Sequence, residues 1–360
     1  MTAHPTISPR PGVLDIAPYV GGASKAEGAA RVFKLSSNEN PLGPSEQAKA
    51  AFREAAEALE LYPDGGHGAL RTAIAEVHGI DPDRIVCGAG SDEIIALLCN
   101  AYAGPDDEVL RSAHGFLMYE ISAMAAGARP VTAPERDLTT DIDAMIAAMN
   151  ARTRLVFIAN PNNPTGTMVP MSEIERLADA LPPQAMLVID SAYAEFVDGY
   201  DGGIRLVEER DNVVMTRTFS KIYGLGALRL GWCYAPSHVV EVLHRVRGPF
   251  NVNAPALAAG EAAVRDREWV AHCVAENAKW RAWVTAELTR LNIPVLPSHG
   301  NFVLAEIGEG AEACADRLAR QGVLVRKMNG YGLPRHLRMS IGTEEGCRAL
   351  IAGIRGWLGS

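Results

Sequence analysis

The sequence predicts an α/β protein. A large domain over residues 48–245 would carry a mostly parallel sheet, and residues 246–360 with 1–47 would form a smaller α+β domain. Three observations carry this. Residues 155–159 (Leu-Val-Phe-Ile-Ala) and 185–190 (Ala-Met-Leu-Val-Ile-Asp) are near-continuous apolar runs, the pattern of strands buried on both faces of a sheet. Residues 171–180 between them have a helical pattern, so the order is β-α-β. Beyond residue 300, three short apolar runs alternate with two helical stretches, the order of a small α+β unit.

The elements follow in chain order. Residues 1–12 hold three prolines and no apolar core, so no signal peptide is expected there. Residues 14–44 have too little apolar content to fold alone and are expected to pack on the small domain or cover the active site. Residues 84–87 are β-prone and end at Gly88-Ala-Gly90. Residues 91–102 read as a helix with Ser91 as N-cap, Asp92 and Glu93 in the first turn and Gly104-Pro105 as the stop. Residues 108–110 are a short strand, and 212–215 are an apolar run leading into a glycine-rich loop. Residues 261–290 read as one long amphipathic helical stretch. Strands are expected at 301–305, 323–326 and 337–341, with helices at about 310–321 and 344–358.

Composition narrows the function classes. Hydrophobic residues are 48% and charged residues 21% of 360, ordinary values for a globular chain with one large core or two domains. The net charge of −9 argues against general nucleic-acid binding but leaves room for a local basic pocket for a small anion. No run approaches the ~18 apolar residues of a membrane helix, so no membrane partner is expected. Of the six cysteines (Cys87, Cys99, Cys233, Cys273, Cys314 and Cys347), none forms a C-x-x-C pair, and no metal site or redox motif is expected. Cys87 and Cys99 read as buried thiols, and a reducing cytoplasm fits best. The chain has no internal repeat or low-complexity segment.

Lys221 is the centre of the site reading. It stands in Thr216-Arg-Thr-Phe-Ser-Lys-Ile-Tyr-Gly-Leu-Gly-Ala-Leu-Arg229. Thr218 and Ser220 supply hydroxyls, Gly224 and Gly226 allow close backbone approach, and Arg229 offers a fork for a phosphate. A solvated surface lysine is the ordinary alternative, but these neighbours point to a Schiff base with pyridoxal 5′-phosphate (PLP).

Further residues extend the reading. Asp190 ends a buried strand, where α/β folds bind ligands; it either caps the next helix or keeps a pyridine nitrogen protonated. Tyr193 could donate to the cofactor's phenolate oxygen and lower the pKa of the lysine linkage. Asn163, in Pro161-Asn-Asn-Pro-Thr-Gly166, belongs to an ordinary turn or donates to the same oxygen. Gly88-Ala-Gly-Ser-Asp92 is a plain strand-to-helix turn or a cradle in which the N–H groups of Ser91 and Asp92 meet a phosphate. Phe116 is a core residue or a platform for a pyridine ring. Arg326 and Arg338 each interrupt an apolar run. Each is either in a buried ion pair or aimed into a cleft, binding a substrate carboxylate or phosphate.

Together these strings resemble the fold-type-I PLP-dependent aminotransferases. The resemblance rests on Leu35-Ser-Ser-Asn-Glu-Asn-Pro-Leu-Gly43, Leu61-Tyr-Pro-Asp64, Pro161-Asn-Asn-Pro-Thr-Gly166, Asp190-Ser-Ala-Tyr193, Thr216-Arg-Thr-Phe-Ser-Lys221, Gly226-Ala-Leu-Arg229 and Leu337-Arg-Met-Ser-Ile-Gly-Thr343. They span almost the whole chain in family order. The first two strings are most similar to the histidinol-phosphate aminotransferase family.

The resemblance implies a seven-stranded, mostly parallel sheet and a homodimer with active sites at the subunit interface. Tyr62 would reach the neighbouring subunit's cofactor phosphate and lie near its substrate. Tyr19 would bind the substrate phosphate, and Asn40 and Asn163 would lie near the substrate. Lys221, Asp190 and Tyr193 would be the catalytic group. Two departures stand out: Ser191, where the family often has Glu, and Phe116, where it often has Tyr. Neither removes a group that touches the cofactor.

The implied reaction takes an amino group from L-histidinol phosphate to 2-oxoglutarate in two half-reactions. An aromatic amino-acid aminotransferase, or one enzyme serving both substrates, shares nearly every motif. A PLP lyase such as a phosphothreonine decarboxylase uses the same scaffold. A PLP-scaffold ligand sensor would need a DNA-binding domain, for which the chain has neither room nor a basic segment.

Overall fold

Seven strands form one sheet in the computed structural model, which describes residues 7–26, 28 and 31–359. The expectation for residues 1–12 therefore lies partly outside the described residues. In spatial order the strands are β2 (Ile85–Gly88), β10 (Gly231–Tyr234), β9 (Val213–Thr218), β8 (Met186–Asp190), β7 (Thr153–Ala159), β3 (Glu108–Ser112) and β4 (Arg129–Ala133). All are parallel except β10, which is antiparallel to both β2 and β9.

Every residue of β2, β3, β8, β9 and β10 is buried, because helices cover both faces. Alternation sends Leu187 and Ile189 of β8 to one core and Met186 and Val188 to the other. The first core is closed by α2 (Gly68–His78), α5 (Ile142–Ala148), α6 (Met171–Asp179), α7 (Ile204–Glu209) and α9 (Ala254–Arg265), with Ala48 of α1 (Glu46–Ala55). The second is closed by α3 (Ser91–Tyr102), α4 (Leu117–Ala126) and α8 (Ser237–Val246). A small ribbon, β5 (Glu135–Arg136) with β6 (Thr139–Thr140), follows β4.

The second unit has a four-stranded sheet in the order β1 (Phe33–Leu35), β12 (Val323–Lys327), β13 (His336–Ser340) and β11 (Phe302–Glu306). The N-terminal segment supplies β1, which runs parallel to β12. Helices α11 (Ala311–Arg320) and α12 (Glu344–Leu358) pack on this sheet. The two units share α10 (Arg267–Arg290), whose 24 residues span roughly 36 Å. Cys273 of α10 belongs to the large core, and Trp280, Val284 and Leu288 to the small one.

Three expectations change. The stretch 261–290 is two helices, not one. The chain breaks at Asp266, whose side chain accepts from Trp269 N–H and starts α10 anew. Helix α9 lies beyond the expected boundary at 245/246, yet Ala256, Ala259, Ala263 and Val264 pack into the large core. The N-cap of α3 is Gly90, not Ser91. Its φ of 85° is open to glycine, and Ser91 becomes the first helical residue.

Candidate active site

The C-terminal ends of the parallel strands β7, β8 and β9 open into a cavity of about 350 Å³ that reaches the N-terminal segment and the small sheet. This edge is where open α/β sheets take ligands. Thirteen of the expected site residues line it: Tyr19, Ser91, Asp92, Phe116, Asn163, Asp190, Tyr193, Thr218, Ser220, Lys221, Arg229, Arg326 and Arg338.

Asp190 ends β8 and lies on the cavity floor. The Tyr119 hydroxyl donates to its Oδ2 at 2.6 Å and Ala192 N–H to its Oδ1 at 3.2 Å. Burial pushes its carboxyl up to about 6, although the bonds from Tyr119 and Ala192 pull the other way. Asp190 does not cap a helix; a 3₁₀ turn at Ala194–Phe196 follows, with Tyr193 before it. Tyr119 stacks on Phe157, rings 4.6 Å apart, which fixes the donor.

Lys221 extends into the cavity from the loop after β9. Its Nζ lies 5.9 Å from the centroid of the Tyr193 ring. Burial lowers the amine to about 8, with the Arg338 guanidinium as the second cause. Tyr193 is buried, and its hydroxyl accepts from Asn38 Nδ2 at 2.9 Å. Burial pushes that hydroxyl up to about 12.

An anion cup faces the lysine. Ser91 and Asp92 open α3, where the first N–H groups have no intrahelical acceptor. Thr218 Oγ1 accepts from Ser220 N–H at 3.1 Å. Arg229 reaches Ser220 Oγ at 3.2 Å, Gly226 O at 3.1 Å and Asp92 Oδ2 at 2.9 Å. A Cβ at Gly90 would displace the tip of Arg229 at Nη2, and the φ of 85° with ψ 165° is itself a glycine conformation.

A second cationic group stands on the small sheet. Arg338 of β13 is 6% exposed. It donates to Asn163 Oδ1 at 2.5 Å and Ser36 O at 3.1 Å, and among the described residues its Nε has no partner. The buried ion pair considered for it is absent: among the described residues no carboxylate pairs with it. Arg326 donates to Val20 O at 2.6 Å and lies 5.9 Å from the centroid of the Tyr19 ring. Tyr19 in turn meets Phe116 edge-on, centroids 6.4 Å apart. Phe116 meets Tyr119 the same way at 5.8 Å.

Two expected residues are elsewhere. Asn40 donates to Ile222 O at 2.7 Å and Cys273 Sγ at 3.3 Å, and its Oδ1 accepts from Leu42 N–H. Its side chain braces the lysine loop from behind and does not line the cavity. Tyr62 is 83% exposed, away from this chain's cavity, and stacks on Phe250 at 4.7 Å. Sequence reasoning missed Asn38, Tyr119 and Ser36. Tyr119 sits in an apolar helical stretch that looks like core, and nothing local marks Asn38 as the partner of a tyrosine 155 residues away.

The donor set fits PLP. A partly neutral amine, a buried carboxylate in the same cavity, one hydroxyl and one amide donor (Tyr193 and Asn163) and a cup of N–H, O–H and guanidinium groups match its aldehyde, ring nitrogen, ring oxygen and phosphate. The orphan Nε of Arg338 leaves a further anion-binding group for a substrate.

Comparisons with known proteins agree. The family described as aminotransferase class I and II matches residues 30–354. The chain is 61% identical to histidinol-phosphate aminotransferase of Dinoroseobacter shibae over 350 residues, 97% of each chain. It is 59% identical to the protein of the same name from Paracoccus denitrificans over 345 residues, 95% of this chain and 94% of that one. The crystal structure of histidinol-phosphate aminotransferase from Sinorhizobium meliloti with PLP superposes with a TM-score of 0.90 at 27% identity, covering 99% of both chains.

Proposed function

This chain belongs to the class I and II aminotransferase family, and we propose that it moves the amino group of L-histidinol phosphate to 2-oxoglutarate. The products are imidazole-acetol phosphate and L-glutamate, and the reaction is a step of histidine biosynthesis. Relatives at 61% and 59% identity carry the corresponding name. The observation that carries the reading is Arg338, buried with no carboxylate partner among the described residues, in the cavity that holds the Lys221 amine. A site that must take a carboxylate in one half-reaction and a phosphate in the other needs such a cation.

PLP, when bound, supplies the electron sink for the carbon that loses its proton. Lys221 Nζ would bond the cofactor's aldehyde carbon; displaced there by the substrate's amine, it would take the proton from the substrate carbon that bears the amino group and return it to that former aldehyde carbon, as general base and then acid. An amine lowered to about 8 is suited to both tasks.

Asp190 holds the ring nitrogen, and Tyr193 and Asn163 donate to the ring oxygen. Phe116 packs on the ring face. Ser91, Asp92, Thr218, Ser220 and Arg229 hold the cofactor phosphate. Arg338 binds the substrate anion in both half-reactions, and Arg326 and Tyr19 add contacts to the substrate phosphate. Asn40 acts through the carbonyl of Ile222, next to Lys221.

The working form is a homodimer in which Tyr62 reaches the neighbouring subunit's cofactor phosphate and substrate. The exposed apolar group Leu59, Leu61, Tyr62 and Phe250 supports it. All six cysteines are free and buried, which suits the cytoplasm as its setting. Among the described residues, no helix is long and apolar enough to cross a membrane.

The test is passage of a carbon-isotope label from 2-oxoglutarate into glutamate when the two are mixed with the protein. The PLP-loaded protein should catalyse it, and Lys221→Ala should not. Exchange that persists in Lys221→Ala would refute the role of the lysine. No exchange in the wild-type protein would refute transamination.

A further inference from the structure

Asn38 lies in the N-terminal segment between β1 and α1, with φ 54° in the left-handed region. It is 1% exposed. All its polar groups are engaged. Its N–H donates to Ser340 Oγ at 2.7 Å, and Ser340 Oγ donates back to its Oδ1 at 3.0 Å. Its carbonyl accepts from Asn301 Nδ2 at 3.0 Å. Its Nδ2 donates to the Tyr193 hydroxyl at 2.9 Å.

These bonds set a direction. Ser340 has one hydroxyl proton, given to Asn38 Oδ1, so the amide turns its oxygen to Ser340 and its nitrogen to Tyr193. Tyr193 then accepts on one side and has a single proton left to donate. That proton is free to point into the cavity that Tyr193 lines beside Lys221. The relay also crosses between the two units: Ser340 is on β13, two residues from Arg338 on the same strand, and Tyr193 follows β8.

We infer that Asn38 and Ser340 are positioning residues that aim the Tyr193 hydroxyl at the cofactor's ring oxygen and so keep the lysine-linked cofactor's pKa low. The inference rests on the cofactor reading above and extends it to two residues that do not react. A hydrogen bond to the ring oxygen favours its anionic form and weakens that oxygen's hold on the proton of the lysine linkage. Without the relay the hydroxyl rotates freely, and the linkage keeps its proton to higher pH. The charged and titratable groups facing Tyr193 are Arg338 from β13, Asp190 from β8, Asp92 from α3, Lys221, and the hydroxyls of Tyr119 and Tyr331. None of these groups is a hydrogen-bond partner of Asn38 or Ser340 among the described residues.

The experiment is a pH titration of the visible absorbance of the PLP-loaded protein. Asn38→Gly removes the amide and keeps a residue that tolerates the left-handed backbone. Its midpoint should move up by about 0.5–1 pH unit, the share of one hydrogen bond. Ser340→Ala should move it the same way by less. Tyr193→Phe should shift it at least as far, and adding Asn38→Gly to Tyr193→Phe should add nothing.

Thermal melting of each apo variant separates a loss of folding, which leaves Ser340→Ala as the second reading of the relay. An unmoved midpoint in both single variants overturns the inference, as does a shift that persists undiminished in the Tyr193→Phe background. A failure of the cofactor reading itself is distinct: the wild-type protein would then show no lysine-dependent visible absorbance.

Discussion

Arg338 and Asn163 meet across the cleft between the two sheets, with Arg338 Nη1 donating to Asn163 Oδ1 at 2.5 Å. The guanidinium of the small sheet thereby orients the amide oxygen of Asn163 toward itself and leaves the amide nitrogen for the cofactor. One contact joins the substrate-binding cation to a cofactor-binding group.

Arg338→Met tests what that buried cation costs. Its Nε has no partner, and no carboxylate neutralises it among the described residues, so the folded chain bears a desolvation penalty that function requires. The variant should lose kcat/KM for histidinol phosphate by about 30- to 1,000-fold, the ~2–4 kcal/mol of a truncated charge contact. The apo protein should melt roughly 2 °C or more higher. A lower melting temperature with unchanged kcat/KM would show that Arg338 is a structural residue.

Much of this was legible in the sequence, for identifiable reasons. The runs at 155–159 and 185–190 are buried on both faces, and burial of that kind leaves a local signature. Lys221, Asp190 and Arg229 stand out because polar residues end or follow such runs. The four residues of β10 carry no such signature: Gly231–Tyr234 is hidden within the glycine-rich loop region, and its antiparallel pairing is a tertiary fact. The three residues of β1 are too few to show a period, and they become a strand only through β12. Asn38 was invisible for the same reason, since its partners Ser340, Asn301 and Tyr193 are all distant in the chain. Asn40 shares the motif with Asn38 but points to Ile222 and Cys273, a choice made by packing.

Lys221 sets a pH dependence. Burial and Arg338 lower its amine to about 8 from an ordinary 10.5. The rate at which apo-protein captures PLP depends on the neutral amine. It should rise with pH and level off just above 8, whereas an ordinary lysine would still be gaining near pH 10. Arg338→Met should move the midpoint up, because the repelling charge is gone. Stopped-flow absorbance over pH 6–10 measures both.

Asp190 gives the opposite kind of linkage. Folding raises its pKa from 3.8 to about 6. An acid shifted upward contributes stability below its unfolded pKa and loses it as pH rises through the folded one. In the apo protein, the stability gain of Asp190→Asn over wild type should be small at pH 4 and grow to on the order of 2–3 kcal/mol by pH 7. Urea unfolding at the two pH values decides. The same variant should lose most of kcat in the loaded protein, since a neutral amide cannot keep the ring nitrogen protonated.

Gly90→Ala should act on the cofactor phosphate. Its φ of 85° is unfavourable for alanine, and the added Cβ would push Arg229 out of the cup. The dissociation constant for PLP should rise at least about tenfold, ~1.4 kcal/mol. Fluorescence titration of the apo protein with PLP measures this. Unchanged affinity would remove Arg229 from the phosphate cup.

The most direct measurement is kcat/KM for L-histidinol phosphate and for L-phenylalanine, each with 2-oxoglutarate as acceptor. Arg338, Arg326 and Tyr19 gathered at one end of the cavity predict a clear preference for the phosphorylated substrate, by at least about tenfold, ~1.4 kcal/mol. An equal or higher value for phenylalanine would contradict the proposed substrate.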